Sequence, residues 1–266
     1  YYVTEMDKGM DIAAGSSFAG ETDVKYVASY ANVGNKVEDV TACYNEGKII
    51  NTLSDSVEFS ATKEWQDDGS EERPRGLLKL YRYPNDGNRD YTSASPVSGM
   101  ELVLGQKDKY TIDYSKLSGY PTDGLPHFDS EGYEYVYFIQ ESLSGSTAGN
   151  YSRYYLEAGE SPEEREERTN ALYNGQTLQN RRTGTVDIPI TKSWKAGAIQ
   201  DMNASVVVLV ERKSGQSDFR PVANEAGTDE SGLYTIDGFR AEVMEQTITL
   251  EDLPAFDEAG LPYEYW

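Results

Sequence analysis

Apolar and polar residues alternate along much of the chain with the period of β-strands. Residues 57–61 and 133–139 alternate, and residues 204–210 are rich in β-branched side chains. Clusters of Gly, Pro, Asn and Asp predict tight turns between such segments, as at residues 84–87 and 118–124. Short strands and frequent turns together predict an all-β fold of the sandwich type.

One segment has a helical pattern instead. Ser161 is a suitable N-cap, Pro162 fits the first helical position, and the glutamates that follow favour the positive end of the helix dipole. We therefore expect a short, solvated helix over residues 161–168.

Several motifs occur twice, which predicts a repeated structural unit. The spacing between motifs is conserved as well, because Asn51 precedes Lys63 by the same number of residues as Asn180 precedes Lys192. The repeated pairs are Thr62-Lys63-Glu64-Trp65 with Thr191-Lys192-Ser193-Trp194, Leu125-Pro126-His127-Phe128-Asp129 with Leu253-Pro254-Ala255-Phe256-Asp257, and Tyr44-Asn45-Glu46-Gly47 with Tyr173-Asn174-Gly175.

The two ends of the chain also resemble its middle. Read from tail to head, residues 263–266 followed by residues 1–5 match residues 133–141, which makes Glu5 the equivalent of Glu141. This order predicts one complete module at residues 58–184. Residues 1–57 would be the C-terminal half of another module and residues 185–266 the N-terminal half of a third. We interpret both ends as cut from a longer precursor.

Charge and composition narrow the possible partners. The formal net charge of −22 disfavours nucleic acid and anionic membranes, and no apolar run reaches the roughly 20 residues that span a bilayer. Cys43 and His127 are single, so no disulfide within the chain is possible, and no metal site or cofactor is expected. Something other than a disulfide must then reinforce the modules.

The combined motifs resemble the B-type repeats of Gram-positive collagen adhesins and pilins, known as CnaB domains. The resemblance covers the whole chain in the permuted order given above, although the second unit has no Arg-Pro pair near the position equivalent to Arg73-Pro74. It implies immunoglobulin-like β-sandwich modules, one complete and two halves. The residues that carry it are Lys63-x-Trp65, Arg73-Pro74, Leu125-Pro126-x-Phe128-Asp129, Tyr135-x-Tyr137-x-x-x-Glu141 and Asn180.

In many such domains a Lys on the first strand and an Asn on the last form a spontaneous isopeptide bond, helped by a buried Glu. Mapped by motif, the resemblance implies Lys63, Glu141 and Asn180 in the complete module. A split module would use residues supplied across a copy boundary, namely Lys192, Glu5 and Asn51. Burial supports this chemistry, since it disfavours both the ammonium and the carboxylate and leaves a nucleophilic amine beside a neutral acid.

These observations predict a structural stalk or fibre repeat of a cell-surface adhesin or pilus-like filament, assembled head to tail with neighbouring copies. It would lie outside the cell, anchored to the wall through a segment outside this chain. The only catalysis expected is the single-turnover crosslink. An adhesive module for a host matrix protein or glycan is the main alternative, and a glycosidase is disfavoured because no motif places two carboxylates. Each candidate residue also has an ordinary structural role: surface lysine, buried capping glutamate or strand-end asparagine.

Overall fold

The computed structural model describes residues 2–3, 6–7, 10–11, 17–19, 25–31, 43–44, 47–157, 170–193, 203–222, 232–240 and 245–266. Over these residues the protein is built of β-strands, and its helical structure is limited to three short 3₁₀ turns. The all-β prediction is therefore confirmed. The helix predicted over residues 161–168 lies outside the described residues. Within the described part, no helix is long and apolar enough to cross a membrane.

The central part of the chain forms two four-stranded sheets. One sheet has the order β11-β10-β14-β16 and the other β12-β9-β17-β15. A short ladder, β8 with β13, joins Ser56–Val57 to this part of the chain through Leu125–Pro126. The strands are β8 (Ser56–Val57), β9 (Ala61–Gln66), β10 (Arg75–Pro84), β11 (Ser95–Val103), β12 (Lys109–Ile112), β13 (Leu125–Pro126), β14 (Tyr135–Ser144), β15 (Tyr151–Leu156), β16 (Leu172–Tyr173) and β17 (Thr177–Arg182), and the 3₁₀ turns are Tyr91–Ser93, Tyr114–Lys116 and Ala148–Asn150.

A single apolar core fills the space between these two sheets. In β9 every second residue is buried, so Ala61, Lys63 and Trp65 point inward, as strand alternation requires. Leu78 and Leu80 of β10 meet them from the opposite sheet. The inward row of β9 thus carries a lysine between two core residues, which is the first sign of special chemistry.

Several tyrosines pack over the outer face of the sheet that contains β14. Phe138, on the other face of β14 from the core, is fully buried beneath a layer of aromatic rings. Tyr81 stacks on it at 5.6 Å between ring centroids, and Tyr83 and Tyr173 lie at 6.2 and 5.9 Å. Tyrosine suits this position because its ring packs while its hydroxyl stays in water.

Seven strands in small sheets lie within the described residues of the N-terminal segment. β4, β5 and β7 form a three-stranded sheet, and β1 pairs with β6. In β5 and β7, Ala28 lies opposite Asn51. The strands are β1 (Tyr2–Val3), β2 (Met6–Asp7), β3 (Met10–Asp11), β4 (Ser17–Ala19), β5 (Lys25–Ala31), β6 (Cys43–Tyr44) and β7 (Lys48–Leu53).

Where the structure describes the C-terminal segment, it shows seven further strands. β18 pairs with β23, β19 with β22, and β20 lies between β21 and β24. A small core of Val210, Val222 and Leu253 lies between them. The strands are β18 (Thr185–Ser193), β19 (Asn203–Leu209), β20 (Glu211–Ser214), β21 (Arg220–Pro221), β22 (Leu233–Arg240), β23 (Glu245–Pro254) and β24 (Tyr263–Tyr265).

One loop of the central unit is repeated in the C-terminal segment. The Asp129 carboxylate accepts hydrogen bonds from the backbone amides of residues 131 and 133, at 2.9 Å each. Asp257 accepts from residues 259 and 261 in the same way, at 2.9 and 2.8 Å. The Tyr137 hydroxyl donates to the carbonyl of Pro126, and the Tyr265 hydroxyl donates to the carbonyl of Pro254. The sequence repeat is therefore also a repeat of hydrogen bonds.

The strand pairings next to this loop give an alignment of the chain's two ends that differs from the one predicted from the sequence. Tyr265 lies opposite Arg212 as Tyr137 lies opposite Arg82, so Trp266 corresponds to Phe138. Tyr2 pairs with Tyr44 as Phe138 pairs with Tyr173, so Tyr2 corresponds to Phe138 as well. The alignment of the head is retained, but the alignment of residues 263–266 with residues 133–136 is wrong by two positions. Trp266 and Tyr2 thus correspond to the same position, so tail and head overlap instead of abutting.

Candidate crosslinking site

Two neighbouring strands bring Lys63 and Asn180 close together. β9 and β17 are parallel, with Lys63 opposite Leu178 and Trp65 opposite Asn180. Lys63 and Asn180 are therefore diagonal neighbours on the same two strands, and both side chains are completely buried. A parallel pair of this kind requires a long crossover, which the chain supplies through the whole central unit.

The third candidate residue comes from the facing sheet. Glu141 lies in β14 opposite Leu78 of β10, and only 3% of it is exposed. Alternation along β14 directs Tyr137, Ile139 and Glu141 to the core side, where β9 and β17 lie. The structure thus brings together all three residues of the first predicted set, Lys63, Glu141 and Asn180.

The polar contacts in this pocket are few and short. The Asn180 Nδ2 donates to both oxygens of Glu141, at 3.0 and 3.1 Å. The Lys63 Nζ donates to the carbonyl of Glu64 at 2.7 Å and lies 3.7 Å from the centre of the Trp65 ring. The Asn180 Oδ1 is buried and accepts no hydrogen bond. A buried acceptor without a partner is costly, so the site holds an amide group that is incompletely satisfied.

Burial shifts the two titratable groups in opposite directions. Desolvation lowers the pKa of the Lys63 amine to about 7, although the charge of Glu141 acts against this shift. Desolvation likewise raises the pKa of Glu141, opposed by the charge of Lys63 and by the hydrogen bond from Asn180. Both shifts favour the neutral amine and the neutral carboxylic acid over the ion pair.

The amide orientation differs from the expected one. The resemblance and the chemistry lead us to expect the Glu141 carboxyl to bind the Asn180 carbonyl oxygen, but it binds the amide nitrogen. A carboxylate offers only acceptors and so holds the nitrogen, whereas a protonated carboxyl has a donor for the oxygen. Half a turn of the amide exchanges the two atoms without moving the backbone, so protonation of Glu141 favours the arrangement that polarises the carbonyl.

Several residues around this pocket had no predicted role, and of these only Arg73 belonged to a motif in the sequence. Arg153 of β15 donates to the backbone carbonyl of Glu141 at 2.8 Å. Arg73 is buried and forms a two-point ion pair with Asp67, which also accepts from the Tyr151 hydroxyl at 3.0 Å. In so acidic a chain, nothing local distinguishes Asp67 from the exposed acids beside it. Only its position at the end of an alternating strand could have indicated burial.

The second predicted set is not assembled in the same way. Lys192 is half-buried in β18, opposite Gln246 of β23. Asn51 is exposed in β7, and β7 and β18 belong to different sheets. Glu5 lies outside the described residues. The described part of the chain therefore contains one assembled set of three residues.

The part of the chain described by the structure contains no group of three or more His, Cys, Asp or Glu side chains that could hold a metal ion. In comparisons with known proteins, no family model matches the chain and no curated protein is similar to it. The arrangement of Lys63, Glu141 and Asn180 is therefore the main guide to function.

Proposed function

We propose that this chain is a structural stalk or fibre segment of a Gram-positive cell-surface adhesin or pilus-like filament. Its central unit would be a CnaB-type, immunoglobulin-like module closed by an isopeptide bond between Lys63 and Asn180. The observation that carries the proposal is the burial of an amine, a carboxyl and a primary amide together between two sheets. Ordinary cores rarely bury three such groups, since each is costly without a full set of partners.

In the proposed reaction the neutral Lys63 Nζ attacks the Asn180 Cγ, and the carbonyl oxygen takes up the negative charge of the tetrahedral intermediate. The protonated Glu141 gives its proton to the amide nitrogen, which leaves as ammonia, and takes up in its place the proton that the attacking amine loses. One C–N bond forms and one breaks, and the carboxyl is regenerated. Holding the groups in contact supplies the effective concentration that an amide otherwise lacks.

The bond also answers the question of reinforcement in a chain with a single cysteine. It would join the first and last long strands of one sheet and close a loop of more than a hundred residues. By analogy with a disulfide, a loop of that size restricts the unfolded chain by roughly 4–5 kcal/mol. A module reinforced in this way needs no oxidising partner.

Intact mass spectrometry of the folded chain tests the proposal. We expect a mass lower than the sequence mass by one ammonia, and a digest that yields a branched peptide joining Lys63 to Asn180. Lys63→Met and Glu141→Gln should restore the full mass. Lys79→Met is the matched control, because Lys79 lies on the outer surface of β10 in an ion pair with Glu101 and should leave the loss of ammonia unchanged. A folded wild-type chain of full mass would refute the crosslink.

The proposal extends to neighbouring copies. β18 with β23 repeats the pairing of β9 with β12, and β7 with β5 repeats that of β17 with β15. A copy could therefore supply the β7 strand that β18 needs for a second parallel pair, with Lys192, Glu5 and Asn51 completing the site. Contacts of this kind propagate as filaments. A denaturing gel should then show a covalent ladder, which Lys192→Met removes.

A further inference from the structure

Arg73 stands out among the buried groups of the central unit, because its charge is held beside the site without touching the reacting atoms. Its side chain is 3% exposed and its Nε and Nη2 donate to the two oxygens of Asp67 at 2.8 and 2.7 Å. It also contacts the carbonyl of Gln106 and the carboxylate of Asp108. Buried ion pairs contribute little net stability, so stabilisation of the fold is a weak explanation for burying Arg73 and Asp67.

Trp65 connects this ion pair to Lys63. The Lys63 Nζ lies 3.7 Å from the centre of the indole ring, and the Arg73 guanidinium carbon lies 5.4 Å from the same centre. The two groups are therefore no more than about 9 Å apart in a region of low dielectric constant. The Trp65 Nε1 donates to the carbonyl of Gly105 at 3.0 Å, which fixes the ring. The amine and the guanidinium thus both lie against the same fixed ring.

We propose that Arg73, held by Asp67, is a positioning residue that keeps the Lys63 amine in its neutral, nucleophilic form. This inference rests on the proposed crosslinking function. A fixed positive charge repels a second one, so protonation of the amine becomes less favourable. The ring of Trp65, already facing the guanidinium, gives less cation–π stabilisation to an ammonium than a free ring would.

The other charges around Lys63 act in both directions. Glu141 and Glu64 favour the ammonium, as does Asp67, whereas Arg73 opposes it more strongly than Asp67 supports it. Tyr110 lies opposite Lys63 on β12, and Arg153 binds the strand that carries Glu141. Hydrogen bonds from Arg73 and Tyr151 outweigh the burial of Asp67 and lower its pKa, so Asp67 stays ionised throughout the neutral range.

The test uses the opposite charges of Arg73 and Asp67. Full-length chain recovered unreacted from inclusion bodies is diluted from denaturant into buffers between about pH 5 and 9, and the loss of ammonia is followed by mass spectrometry. Arg73→Met should shift the rate profile to higher pH by on the order of one unit, which slows the reaction about tenfold below the midpoint. Asp67→Asn should shift it to lower pH, and Arg73→Lys should restore most of the wild-type profile.

A purely structural role predicts a different result, since both Arg73→Met and Asp67→Asn would then slow the reaction at every pH without moving the midpoint. That outcome, or unchanged profiles, would overturn the inference while leaving the crosslink intact. If Arg73→Met does not fold, the comparison of Asp67→Asn with Arg73→Lys decides, since the inference requires a shift to lower pH in Asp67→Asn and a nearly unshifted profile in Arg73→Lys. A wild-type chain that never loses ammonia would instead refute the proposed function, and this role with it.

Discussion

At the scale of single residues, the site is defined by groups that are expensive to bury. Lys63 and Asn180 are completely buried, and the Oδ1 of Asn180 accepts no hydrogen bond. Such groups normally destabilise a fold, and the proposed crosslink would account for their retention. The amide product would remove the titrating amine altogether, and this has a measurable consequence.

The pH dependence of stability should differ between the linked and unlinked forms. In Asn180→Ala the amine stays free, with its pKa lowered by burial to about 7 when folded and near 10.4 when unfolded. Between these values the unfolded chain binds the extra proton, so the stability of the variant rises with pH. The difference in melting temperature between wild type and Asn180→Ala should therefore narrow from about pH 7 to 10. The double variant Lys63→Met/Asn180→Ala should show no such narrowing, and equal narrowing in both would contradict the assignment.

Much of the site could be predicted at this scale, and the reason for the rest is physical. The resemblance of the motifs implied Lys63, Glu141 and Asn180, and the equal spacing of the repeats supported the equivalence of Lys63 with Lys192 and of Asn180 with Asn51. It gave Arg73 no role beyond its place in the Arg73-Pro74 motif, which the second unit lacks at the matching place, and it gave no signal for Asp67. Their role depends on burial and on a shared ring, which are properties of the folded chain.

At the scale of strands, the site depends on how closely β10 and β14 approach. A Cβ added to Gly76 would lie 2.5 Å from the carbonyl oxygen of Ser142, beside the residue that supplies the acid. Backbone cannot yield as a side-chain end can, so the two strands must separate. Glycine is therefore required at position 76 by space.

We expect Gly76→Ala, in a Lys63→Met background that excludes crosslinking, to lower the free energy of unfolding by about 1–3 kcal/mol in urea titrations. In the reactive background the same change should slow the loss of ammonia, because Glu141 moves with its strand. Gly149→Ala is the control, since an added Cβ there meets nothing within 4 Å. Equal effects of Gly76→Ala and Gly149→Ala would show that the close approach of β10 and β14 does not determine stability or the rate of crosslinking.

The strand scale also explains the two-residue error in register. Tyrosines occupy positions 133, 135 and 137, so a shift of two keeps every ring on the same face of the strand. The sequence pattern alone cannot separate these registers. The hydrogen bonds of the Asp129 and Asp257 loops do separate them, because each loop fixes the number of residues between the aspartate and the strand that follows.

At the scale of the whole molecule, the overlap of the two ends affects assembly. Trp266 occupies the position of Phe138, and the pairing of Tyr2 assigns Tyr2 to the same position. A copy that completes the C-terminal segment would bring two strand ends to one place. The overlapping residues must then be displaced before the site can close.

Removing residues 1–2 should therefore increase the yield of covalent head-to-tail species by several fold on denaturing gels. Lys192→Met in the shortened chain should abolish the added bands, which shows that they depend on the second set. Removal of residues 1–2 and of residues 1–4 can be compared, since the longer deletion shifts Glu5 to the terminus and should lower the yield again. A shortened chain with no more ladder than wild type would argue against completion by a second copy.

The parallel pairing of β9 and β17 has a mechanical consequence for a stalk. A pulling force on the two ends of the unit acts on the chain near Ala61 and near Arg182, which lie on adjacent strands. Without a bond, yielding of this pair would release the chain between Lys63 and Asn180, a length of about 400 Å when extended. With the bond, the load passes through one side-chain bridge and none of that length is released. A stalk made of such units would keep its length under tension, whether or not the sheets around the bridge remain folded.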